Sequence, residues 1–219
     1  EASIDEKCLG LIKPEDYNEQ AQQDFMSNYV ALATTFSALH GPIPDEPGHG
    51  SIGLELSGIP PLGCERRMVL NFTKTEETNK TPVLPRPRLT WTFPALGPVR
   101  IYGGVAYVPP VPILGTRNVI ASAEFGVGIP LNSLQLGARF HGTLQKTIGD
   151  VATAFEEDEP AYDDLYLAST FGIDAMVGYE AGKVTPYASL GITDVSTFFY
   201  IGDDSVVTNN MHPYAGLTF

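Results

Sequence analysis

A hydrophobic period of two running through about 170 residues, from Ile52 to Phe219, most restricts what this chain can fold into. Ile52, Leu54 and Leu56 alternate with Ser51, Gly53, Glu55 and Ser57. Leu89, Trp91 and Phe93 alternate with Arg88, Thr90 and Thr92, and Leu134, Leu136, Ala138 and Phe140 with Gln135, Gly137, Arg139 and His141. Successive side chains of a strand point to opposite faces, so this pattern predicts sheet with one apolar and one polar face. The runs are about 9 to 17 residues long, enough for the ~9–11 residues of a tilted strand crossing a bilayer. Connections alternate between short (94–98, 130–133, 181–183) and longer (73–85, 109–117, 147–163, 202–209).

The polar face decides between a soluble sandwich and a membrane sheet. Charged residues make up only 18% of the 219 residues, where about a quarter is usual for a soluble domain. The alternating partners are Gly, Ser, Thr, Tyr and Gln with an occasional ion, and no stretch reaches the ~20 apolar residues of a membrane helix. The expectation is an all-β fold: a closed, up-and-down antiparallel transmembrane β-barrel of about eight strands over residues 51–219. A segment of different character, residues 1–50, precedes it.

The terminal Tyr214-Ala215-Gly216-Leu217-Thr218-Phe219 resembles the last strand of bacterial outer-membrane β-barrel proteins. The resemblance is to the general class and covers the alternating region. It implies that Tyr214, Gly216, Leu217 and Phe219 form an assembly signal read by the barrel-assembly machinery, with outer-membrane lipid as surroundings. It also implies periplasmic N- and C-termini. Pro213 departs from the pattern because it lacks a ladder donor, which suits a strand start or a bulge.

Residues 18–40 read as an amphipathic helix. Phe25, Tyr29, Leu32, Phe36 and Leu39 follow 3–4 spacing, and Gly41-Pro42 ends the run. A helix is ~10–12 Å across, and an eight-stranded barrel is just wide enough for its own side chains. The helix is therefore expected at the periplasmic interface or beneath the barrel, where it offers a contact to a second copy or a periplasmic partner. Cys8 and Cys64 match no metal spacing and are candidates for one disulfide. Strand parity leaves two topologies of eight strands open. If the Met68 run is the first barrel strand, Cys64 lies at the periplasmic end and reaches Cys8. If the Ile52 run is first, Cys64 lies outside and the pair is not expected.

Glu55, Arg88, Arg100, Glu124, Arg139 and Asp174 fall on the polar faces, three cationic and three anionic, with His141 nearby. Unpaired charges in a narrow interior cost several kcal/mol, so a lumen ion-pair network is expected, with Arg139 and Arg100 neutralising Glu124 and Asp174. A net charge of −13 gives no basic footprint for nucleic acid. No nucleophile–base pair, phosphate loop or metal signature points to an enzyme, a cofactor or a metal. The expected function is a narrow, charge-balanced barrel with a structural or surface-interaction role. The alternative is a passive channel for a small or hydrophobic solute, gated by the N-terminal segment.

Overall fold

The computed structural model describes residues 6–10, 18, 25, 28–29, 31–58, 61–69, 74–75, 83–113, 116–149, 164–201 and 204–218. Its strands are β1 (Gly50–Gly58), β2 (Met68–Val69), β3 (Lys74–Thr75), β4 (Val83–Thr92), β5 (Arg100–Ile113), β6 (Thr116–Leu131), β7 (Leu134–Gly149), β8 (Asp164–Tyr179), β9 (Tyr187–Ile201) and β10 (Asp204–Thr218). β1 and β4–β10 make one eight-stranded antiparallel sheet in the order β1-β4-β5-β6-β7-β8-β9-β10, while β2 and β3 form a separate ladder. Tight connections join β6 to β7 and β8 to β9. Asn132 (φ 57°) and Gly182 (φ 71°) supply the left-handed backbone there, which Asn tolerates and Gly adopts freely.

The period of two is realised strand by strand. On β4, Leu84, Arg86, Arg88, Thr90 and Thr92 are buried while Val83, Leu89 and Trp91 are exposed. Pro85 and Pro87 are accommodated because β4 pairs there with β1 alone; its pairing with β5 begins at Arg88. The polar face is concave. Tyr102 on β5 reaches the Met176 sulfur on β8 at 3.8 Å, although three strand spacings span about 14 Å in a flat sheet.

Two expectations are corrected. The sheet is not a closed barrel: among the described residues no pairing joins β1 to β10. β1 also behaves as an edge, with Ile52 85% exposed against 43% for Leu136 within the sheet. Alternation reports which face a residue takes, whereas closure depends on pairing the first strand with the last, about which a local period is silent.

Among the described residues the amphipathic helix expected over 18–40 does not run its length either. Among the described residues helical backbone stops at Ala33, and residues 36–40 are irregular. Its expected faces are kept only in part: Phe36 of the anticipated stripe is buried, but others are not. Asn28, Ala31 and Thr34 are buried, while Leu32 and Leu39, from the anticipated apolar stripe, are exposed. On the sheet's inward face Ala31 clusters with Tyr166, Ala168 and Val195 and Thr34 bonds Gln145, so small and polar residues take the inward positions.

Size had placed the N-terminal segment outside the sheet; it lies in the concavity. An extended chain is slimmer than a helix, and this one threads the polar face from end to end. Thr34 meets Gln145 and Arg86 toward the long-loop end. Pro42 sits at the short-turn end, where a Cβ on Gly137 or Gly178 would lie 2.9 Å from it. β1 then runs back, from Gly50 opposite Trp91 to Gly58 opposite Val83.

That path explains the disulfide. Cys8 and Cys64 are bonded, with Cα atoms 5.3 Å apart, although the Ile52 run is the first strand of the sheet and the Met68 run lies outside it. Parity had paired that topology with a missing disulfide. Because the segment enters from the long-loop end, Cys8 starts where β1 finishes. Arg66, in the one-turn helix Cys64–Arg67, stacks 4.4 Å from the Phe25 ring centroid and reinforces the same junction.

Candidate functional site

The charged side chains of the concave face form one connected cluster. Arg86 on β4 donates to both carboxylate oxygens of Glu55 on β1, with its Nε 3.1 Å from Oε2. Arg88 bridges Glu55 Oε2 (3.0 Å) and Glu124 Oε1 (3.3 Å). Arg139 on β7 donates to Glu124 Oε2 (2.6 Å) and Asp174 Oδ2 (2.7 Å). His141 Nε2 lies 3.5 Å from Asp174 Oδ1. All six charged groups are buried, and three guanidinium groups face three carboxylates. Pairing on that scale is what burial of charge demands, since removing one partner strands another in a low dielectric.

Of the residues expected in this network, Glu55, Arg88, Glu124, Arg139, His141 and Asp174 are brought together. Arg100 is not. It sits at the short-turn rim, where its Nη1 donates to the Gly97 carbonyl at 2.8 Å. The third cation is Arg86, which the sequence reading missed because Pro85-Arg86-Pro87 looks like the end of a loop. Its parity with Arg88 and Thr90 was the available signal. Of the expected assembly signal, Tyr214, Gly216 and Leu217 lie on β10, paired with Gly191, Ser189 and Ala188 of β9; Phe219 lies outside the described residues.

The N-terminal segment completes the cluster with backbone. Arg86 Nη1 donates to the Thr34 carbonyl (2.7 Å) and its Nη2 to that of Thr35 (2.9 Å). Arg139 Nη2 donates to the Phe36 carbonyl (2.5 Å), Arg88 Nη1 to that of Ser37 (2.7 Å), and the Tyr187 hydroxyl to that of Ala38 (3.0 Å). The Phe36 ring is buried among the guanidinium groups, with the Arg88 carbon 4.0 Å, Arg86 5.1 Å and Arg139 5.5 Å from its centroid. The ring quadrupole favours that placement.

His40 closes the set. Its Nδ1 lies 2.8 Å from the Gly41 carbonyl and its Nε2 3.1 Å from Glu124 Oε1, with Tyr102 edge-on at 5.0 Å. Beyond His40 the segment leaves through a cleft of about 360 Å³ at the short-turn end, lined by Pro44, Glu46, Arg100, Pro130, Gln135 and Glu180.

Chemically, the arrangement grips an extended main chain and occupies the polar face with it. No protein-family model, curated protein or solved structure matches this chain.

Proposed function

We propose that this chain is an outer-membrane protein whose curled sheet turns its apolar face to lipid and keeps a polar interior sealed by residues 34–42. Its role on this reading is structural or surface-interacting rather than that of an open pore. The observation that carries it is the inversion of the two faces. Among the described side chains, the outward positions of β1 and β4–β9 carry two charges, Lys146 and Asp194, against rows of exposed Leu, Val, Ile and Phe. A contiguous apolar surface of that kind is rare on a soluble monomer and ordinary on a membrane strand.

The reading carries a requirement. In lipid, unpaired backbone groups cost several kcal/mol each, so the outer edge of β1 must be covered by protein. A second copy or another membrane partner meets that need. Flotation with phospholipid vesicles and native mass in detergent test both parts. The expected result is vesicle association with a mass above one chain plus its detergent. A monomer that stays soluble without detergent would sink the proposal.

The alternative, gated passage of a small solute, is favoured by one observation: a single segment fills the polar face. Planar-bilayer recordings separate the two. The sealed reading expects no steady current from the intact protein, whereas gating expects current when the segment is released.

A further inference from the structure

We propose that the cleft at the short-turn end binds a small organic dication, a linear alkyl diamine, between residues 43–47 and the rim of the sheet. The proposal stands on the cleft's own groups and not on membrane placement.

Two independent observations meet there. The first is charge. Asp45, Glu46 and Glu180 line the cleft, with Arg100 as the one cation among its wall residues. Asp45 accepts from the Ser51 hydroxyl at 3.0 Å and Glu180 from the Gln135 amide at 2.6 Å, both neutral donors. Arg100 Nη1 donates to the Gly97 carbonyl instead. Among the described residues none of these three carboxylates stands in an ion pair. The concave face is the opposite case, since Glu55, Glu124 and Asp174 each meet a guanidinium there.

The second observation is an acceptor without a donor. Gln135 is only 6% exposed, and while its Nε2 serves Glu180, its Oε1 has no hydrogen-bond partner. The bond to Glu180, another wall residue, turns the amide group toward the cleft. A buried acceptor left unpaired is unfavourable, and a ligand N–H removes that penalty.

The cleft also selects among cations. Among the described residues no carboxylates, histidines and cysteines converge as a metal site requires, and about 360 Å³ is far more than one ion fills. A space of that size suits a small molecule. Ile43, Pro44, Pro47 and Pro130 add apolar wall for the methylenes of a diamine. Its ammonium groups are donors alone and match carboxylates and an amide oxygen, which are acceptors. Residues 43–49 join the buried segment to β1, so a bound diamine fixes that link against Gln135 and Glu180 and holds the segment in place.

Isothermal titration calorimetry of the full-length protein with diaminobutane tests the site. One diamine per chain should bind saturably, with a Kd below about 1 mM. Butylamine, with a single charge, should bind several-fold more weakly, and butanediol should not bind. Gln135→Met, which keeps the volume and removes the acceptor, should cost about tenfold in affinity. Glu46→Gln and Glu180→Gln alter exposed side chains, and each should cost about two- to fivefold. If Gln135→Met fails to fold, the double variant of Glu46→Gln with Glu180→Gln carries the decision. The diamine should also slow proteolysis within residues 43–49 of the unaltered protein and not of the double variant. Absence of saturable binding up to about 10 mM overturns the proposal. Undiminished binding by the double variant overturns it too, as does displacement of the diamine by an equal concentration of magnesium ion.

Discussion

The two faces of this sheet are built from alternate residues of the same strands, yet they solve opposite problems. Outward, β6 presents Val119, Ala121, Ala123, Phe125, Val127 and Ile129; inward, it presents Ile120, Ser122, Glu124, Gly126 and Gly128. The outward face needs only a medium that tolerates hydrocarbon. The inward face needs its buried charges matched, and the sheet alone does not use all the guanidinium donors. Arg86, Arg88 and Arg139 have N–H groups left over after Glu55, Glu124 and Asp174 are served, and the N-terminal segment takes them up with carbonyls. A backbone thus fills the place that apolar side chains occupy in an ordinary core.

The most damaging way to break that contrast is to remove a central cation. Arg139→Ala leaves Glu124 and Asp174 short of a partner and frees the Phe36 carbonyl, so urea unfolding in detergent should show a loss of about 3–5 kcal/mol. Arg139→Lys should restore part of it, since one ammonium cannot reach all three acceptors with a fork's geometry. Next in size is the covalent tether. Cys64→Ser removes a bond between residues 56 apart in sequence, with an expected loss of about 2–4 kcal/mol. The same variant should make residues 43–49, which join the buried segment to β1, more susceptible to limited proteolysis.

A smaller perturbation tests the close approach at the short-turn end. Gly178→Ala places a methyl 2.9 Å from Pro42, with Gln135 and Thr185 no nearer than 3.5 Å, and overpacking of this kind costs about 1–3 kcal/mol. The loss should vanish in protein cleaved in the linker and freed of its segment; persistence would mean the strain lies within the sheet. The smallest effect sharpens the outward face. Asp194 stands between Ile192 and Phe198 on the apolar side of β9. If lipid faces it, Asp194→Leu should stabilise the protein in detergent by about 1–2 kcal/mol. A destabilised Asp194→Leu protein would instead show that another polypeptide contacts this carboxylate.

Much of the site was legible residue by residue. Period two put Glu55, Arg88, Glu124, Arg139 and Asp174 on one face, because the pleat assigns faces locally and needs no knowledge of the rest of the chain. Arg86 escaped because flanking prolines resemble a loop, and Arg100 was misplaced because parity gives a face but not a depth along the strand. The partner choice expected for Arg100 fell to Arg139, which reaches both Glu124 and Asp174 by itself.

The N-terminal region went the other way. Its 3–4 spacing was real in the sequence, but amphipathic spacing predicts burial only when the facing surface is apolar. Here the facing surface is largely polar, so Asn28, Ala31 and Thr34 turn inward; of the expected stripe Phe36 is buried and Leu39 is not.

The sequence by itself determined the strand pattern, the sign and parity of the buried charges, and the two cysteines that could join. The tertiary structure alone decided that β1 and β10 remain unpaired among the described residues, that the segment threads the concave face, and that Cys8 meets Cys64 at the long-loop end. The physical reason is one of range. A side chain's face follows from its immediate neighbours, whereas edge pairing and the occupant of an interior are settled between residues far apart in sequence. Several arrangements there satisfy the same local rules.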